Sequence, residues 1–138
     1  MAARQKPEFG IISTEVAFAA ALAELSQEKA IVLDVHQEWC GPTSAIMSYL
    51  NQLWVDVENC NSKIALFTLA LDGENTAGLQ KAVQKIIDPE VKLANQGCRP
   101  LFVVLRHGQC VGTVDGVDAP KLNMFLMSNI PKAAKKEK

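Results

Sequence analysis

The chain is 138 residues long, 49% apolar and 21% charged, with a formal net charge of −1. That length supports one domain with a real core, and that composition excludes wholesale disorder. Near-neutral charge leaves no global field to recruit nucleic acid or a membrane surface. No apolar run approaches the roughly 18 residues of a membrane-spanning helix. Met1 to Phe9 shows neither the apolar stretch nor the cleavage site of a secretion signal, so a cytoplasmic setting is expected. In such a reducing compartment the four cysteines, Cys40, Cys60, Cys98 and Cys110, are not expected to build a disulfide framework. None forms a C-x-x-C pair, and His36 and His107 lack ligand spacing to any cysteine pair. Neither a metal nor any other cofactor is expected.

In chain order, Phe9 to Ile12 reads as a short edge strand, and Ser13 or Thr14 can cap a helix running to about Ser26. Phe18, Leu22 and Leu25 form its apolar stripe, set among alanines. Ala30 to Val35 is a run of small and β-branched residues interrupted only by Asp34, as suits a strand covered on both faces. After Trp39-Cys40-Gly41-Pro42, a second helix starts at Pro42, where the missing N–H costs nothing. Ile46, Met47, Leu50, Leu53 and Trp54 mark its buried face, with an end near 59–61. Lys63 to Leu71 predicts a second buried strand. Leu79, Val83 and Ile86–Ile87 predict a third helix, stopped by Asp88-Pro89, with a further helical turn possible over 90–95. Leu101 to Leu105 is a third interior strand, and His107-Gly108 links it to a strand over 109–114 as an antiparallel hairpin. Asp118 caps a last helix, with Pro120 in its first turn and Leu122, Phe125 and Leu126 inward.

The order β-α-β-α-β-α-β-β-α predicts an α/β fold, one mixed central sheet with helices on both faces. Residues 1–131 form the domain. Residues 132–138 (KAAKKEK) are a basic tail, either solvated or an arm for an acidic surface. The junction after Val35 places the Cys40 sulfur at a helix N-terminus, where the macrodipole and free N–H groups favour a thiolate.

These residues resemble the thioredoxin family over nearly the whole chain. Trp39-Cys40-Gly41-Pro42 is similar to its WCGP at a strand-to-helix junction, and Asp34 to its buried acid six residues earlier. Pro100 is similar to the cis-proline facing the active site, and Gly116 to the glycine completing the substrate groove. Within the family, DVHQEWCGP, the Cys98-x-Pro100 spacing and GVDAP at 116–120 resemble the ciliary branch. That branch comprises thioredoxin-like light chains of outer-arm axonemal dynein and thioredoxin–nucleoside diphosphate kinase proteins. No kinase module is expected within these 138 residues. The resemblance implies a thioredoxin fold, a cilium or flagellum axoneme setting, and protein partners such as a dynein heavy chain or other axonemal subunits.

The chain departs from the family's pattern at Thr43, where the second cysteine belongs, at Ser44, and in a longer segment before Pro100. Dithiol exchange needs a resolving thiol to expel substrate from the mixed disulfide. A hydroxyl without an activating base cannot do this, so a cycle between Cys40 and Thr43 is excluded. Asp34 thereby loses its family role toward that thiol and reads as a vestigial buried acid whose pKa burial should raise. Cys98 is the alternative resolving thiol if its Cα comes within roughly 7 Å of that of Cys40. Cys60 and Cys110 read as core thiols, His36 as a strand-end residue and His107 as a turn residue.

Three readings follow. The first, which the sequence favours, is a non-enzymatic subunit that grips a partner in a groove lined by Trp39, Cys40, Gly41, Pro42, Arg99, Pro100 and Gly116. In it the 73–97 segment adds contact surface. The second is a monothiol redox component using Cys40. The third is a disulfide reductase using Cys40 and Cys98.

Overall fold

A computed structural model describes residues 6–36, 46–70, 77–91 and 100–130 of the chain. Five strands form one sheet in the order β1-β3-β2-β4-β5: β1 (Phe9–Ile11), β2 (Ala30–His36), β3 (Ile64–Ala70), β4 (Leu101–Arg106) and β5 (Gln109–Asp115). β3 runs parallel to both β1 and β2, while β4 is antiparallel to β2 and β5. The expected element order and mixed sheet are both present.

The centre of the sheet follows from its sequence. All seven residues of β2 and all six of β4 are buried. Alternation divides them between two cores. Ile31, Leu33 and Val35, with Leu101, Val103 and Leu105, face α1 (Glu15–Ala20) and α4 (Ala77–Ile86). Ala30 and Val32, with Phe102 and Val104, face α3 (Met47–Asp56) and α5 (Ala119–Asn129). Leu50, Leu53 and Trp54 of α3, and Leu122 and Leu126 of α5, close that second core as their spacing predicts. Phe125 is only half-buried, as are Leu22 and Leu25 on the other face.

Capping residues set the helix starts. The Thr14 hydroxyl accepts from the Ala17 N–H at 3.0 Å, and the Asp118 carboxylate accepts from the Lys121 N–H at 3.1 Å. At the β4–β5 turn His107 and Gly108 both take positive φ, 56° and 79°. That pair of left-handed residues gives the tight two-residue hairpin.

Several boundaries differ from expectation. The first helix does not stop at Ser26 but passes through a π-helical stretch, Ala21–Leu25, into α2 (Ser26–Glu28). The Ser26 hydroxyl takes the Leu22 carbonyl, and the Ser26 N–H reaches back to Ala21 instead. A side chain has replaced the backbone donor in the helical ladder. α3 ends at Asp56, and left-handed Asn59 (φ 56°) separates it from a 3₁₀ turn, Cys60–Ser62. β2, β4 and β5 each run one residue further than their patterns suggest, through His36, Arg106 and Asp115. The expected start of α3 at Pro42 and most of the expected turn at 90–95 lie outside the described residues.

Ser26 also anchors the end of the molecule away from Pro100. Its hydroxyl accepts from the Gly108 N–H at 2.8 Å, and its carbonyl accepts from the His107 N–H and from Arg106 Nη1, both at 2.8 Å. Arg106, 7% exposed, spends Nε on the Asn129 carbonyl at 2.7 Å. One buried guanidinium thus joins the start of α2, the hairpin and the end of α5. Ser26→Ala orphans the Gly108 N–H and is expected to cost about 1–2 kcal/mol; Arg106→Met, which loses charge-assisted bonds, about 2–3 kcal/mol. Urea unfolding checks both: the midpoint should fall with m unchanged, and an unmoved midpoint for Arg106→Met would refute the anchoring role.

Candidate functional site

The register brings two of the anticipated landmarks, Pro100 and Gly116, to one end of the sheet beside His36. Val35 pairs with Leu101, and Leu101 with Asp115. The next residue on each strand path is His36, Pro100 and Gly116 respectively, so all three lie side by side. The Gly116 N–H donates to the Pro100 carbonyl at 2.8 Å, fixing the spacing between the two. Gly116 has φ 88°, a conformation that glycine adopts without the strain a Cβ would bring.

Asp34 sits two residues inside this end, fully buried and opposite Phe102 on β4 and Thr68 on β3. Because strand side chains alternate, Asp34 and His36 share the face toward α3. His36 is 7% exposed, with Nδ1 3.1 Å from the Asp34 carbonyl oxygen and 3.9 Å from Asp34 Oδ1. A carbonyl oxygen only accepts, so Nδ1 is the donor and carries a proton. The pairing of His36 with Asp34 was not anticipated. Its signal was present in the i, i+2 spacing within a strand buried on both faces.

Trp39, Cys40, Gly41, Pro42, Thr43, Ser44, Cys98 and Arg99 lie outside the described residues. Of the anticipated site residues, the structure therefore places Asp34, beside His36, and Pro100 with Gly116 at one end of the sheet.

The other two thiols are built for packing. Cys60 is fully buried in the core beneath α3 and α5, and burial pushes its thiol up to about 11, with nearby Lys63 pulling weakly the other way. Burial likewise pushes Tyr49 up to about 12, with Cys60 adding to the shift, and the Tyr49 hydroxyl donates to Asn123 Oδ1 at 2.8 Å. Cys110, half-buried on β5, is also shifted up by burial. Among the described residues no group of three His, Cys, Asp or Glu could hold a metal ion, and no helix is long and apolar enough to cross a membrane.

No protein-family model matches the chain. Curated relatives do. The flagellar outer-arm dynein 14 kDa light chain of Chlamydomonas reinhardtii is 28% identical over 95 residues, 69% of this chain and 61% of that protein. The 16 kDa outer-arm light chain of the same organism is 27% identical over 100 residues, 72% and 56% of the two chains. A thioredoxin domain-containing protein 3 homolog from Heliocidaris crassispina is 29% identical over 113 residues, 82% of this chain and 11% of that protein. The match thus spans about three fifths or less of each of these relatives. Among solved structures, a thioredoxin from Malassezia sympodialis superposes with a TM-score of 0.60 at 21% identity, covering 90% of this chain and 92% of that one. Thioredoxin from Trypanosoma brucei brucei gives 0.58 at 16% identity with the same coverage.

The reactivity of Cys60 tests this account of the thiols, since the thiolate is the nucleophile. Iodoacetamide at pH 8 should leave Cys60 unlabelled in the folded protein and label it fully in urea, as read by peptide mass spectrometry. The folded state also holds this proton more tightly than the unfolded chain, whose thiol titrates near 9.0. Stability should therefore fall as pH rises from about 9 toward 11, and Cys60→Ala should flatten that part of the profile. Rapid native labelling would show an open thiol instead.

The described strands, their register and the helices on both faces make this a thioredoxin fold, and the chain's relatives include flagellar outer-arm dynein light chains and thioredoxin domain-containing proteins.

Proposed function

We propose that this chain is a thioredoxin-like light chain of an axonemal dynein outer arm, a structural or regulatory subunit that binds a protein partner without turning over disulfides. The observation that carries the proposal is the similarity to two separate flagellar outer-arm light chains. Thr43 supports it from the chemistry. The segment after β2 retains Trp39, Cys40, Gly41 and Pro42, the residues that shape the motif, and lacks the thiol that would release a trapped substrate.

In this reading the groove beside Pro100 and Gly116 accepts an extended stretch of the partner, a dynein heavy chain or another axonemal subunit, by main-chain pairing. Trp39, Cys40, Gly41, Pro42 and Arg99 line the rest of it, and 73–97 adds contact surface. Asp34, buried and paired with His36, stays as part of the floor.

A monothiol reading is favoured by one feature, the retention of Cys40 in the Trp39-Cys40-Gly41-Pro42 sequence. There the Cys40 thiolate attacks a partner or glutathione disulfide, one sulfur leaves as a thiolate, and a Cys40 mixed disulfide remains. An outside thiol that attacks the partner sulfur restores Cys40; Cys98, the intrachain alternative, would attack Cys40 Sγ, expel the partner thiolate and leave a Cys40–Cys98 disulfide for an outside thiol to reduce.

High-salt extraction of axonemes, followed by sucrose-gradient sedimentation, tests the proposal. The tagged chain should sediment with the outer-arm heavy chains, and Cys40→Ser should co-sediment equally. Migration as a free 15 kDa protein would defeat the light-chain reading. Release of the chain by dithiothreitol, together with loss of Cys40→Ser from the arm, would favour the monothiol reading.

A further inference from the structure

We propose that the basic C-terminal segment 132–138 docks, within its own chain, into an alanine-floored groove along the first helical stretch. The groove, about 490 Å³, is lined by Ala17, Ala20, Ala21, Leu25 and Phe67, with Glu24 and Glu28 at its rim. Alanines leave the backbone close and the floor shallow, so an occupant must be slim. The two exposed glutamates ask for positive charge. KAAKKEK offers four lysines against one glutamate and has two alanines of its own.

The position of α5 makes the docking reachable. Arg106 bonds the Asn129 carbonyl and the Ser26 carbonyl through one guanidinium, so α5 ends beside the start of α2. Glu28 lies two residues beyond Ser26, at the near end of the groove. Eight extended residues reach about 26 Å, whereas the helical stripe from Glu28 back to Ala17 is about 16 Å long. Another groove among the described residues, between α1 and α4, sets Lys81 and Lys85 against the single Glu15 and so disfavours the tail. Charge and reach select the same groove.

Amide NMR of the full chain tests this. In K132E/K135E/K136E, the amide resonances of Ala17, Ala20, Ala21 and Leu25 should shift from their wild-type positions, while those of Gly78 and Ala82 stay put. E24K/E28K should produce the same displacement, and combining both sets of charge reversals should restore the wild-type positions. Roughly 1 M salt, where screening shortens to about 3 Å, should mimic either single set. Glu24 and Glu28 are exposed, and circular dichroism of each variant should match wild type. Unmoved groove resonances in the tail variant would overturn the proposal. Groove shifts that depend on protein concentration would overturn it too, because the tail would then be binding a second copy.

Discussion

Everything in this molecule depends on β2 being buried from both sides. All seven of its residues pair with β3 on one side and five, Ile31 to Val35, with β4 on the other, and its two faces supply two separate cores. A strand in that position cannot slip by one residue without driving its whole apolar set into the wrong core. The register is therefore fixed, and with it the end of the sheet that His36 reaches. Pro100 and Gly116 reach the same end through β4 and β5.

A fixed scaffold of this kind separates shape from chemistry. The fold holds the strand end, the buried Asp34–His36 pair and the Pro100–Gly116 wall irrespective of what stands at position 43. In the proposed reading, the hydroxyl of Thr43 in place of a thiol removes the step that ends an exchange cycle and leaves the groove free to hold a partner. Neither thiol among the described residues compensates. Cys60 and Cys110 are held by burial in states that resist ionisation, which suits packing and not exchange.

Much of the architecture was legible because it rests on local rules. Thr14 and Asp118 announce helix starts by their hydrogen-bonding side chains, His107-Gly108 announces a hairpin, and the stripe from Leu50 to Trp54 announces a helix face. The fold needed only their order. What escaped was set by contacts between distant residues. Ser26 looks like the end of a helix, but its hydroxyl converts the ladder to π geometry and receives the Gly108 N–H from 82 residues away. Arg106 reads as the first polar residue after a strand, yet it is buried because carbonyls of Ser26 and Asn129 converge on it. His36 sat in plain view as a strand-end residue, and only the closed second core turned it toward Asp34. Within the candidate site the sequence supplied the residue types and their order, and the register supplied the adjacency of Asp34, His36, Pro100 and Gly116.

The central claim is that a complete thioredoxin scaffold here lacks turnover for want of one thiol. Insulin reduction by the wild-type chain and by Thr43→Cys, each coupled to dithiothreitol, tests it directly. The wild type should be flat and Thr43→Cys should gain a clear rate. Wild-type turnover equal to that of Thr43→Cys would contradict the account and return the chain to the reductases.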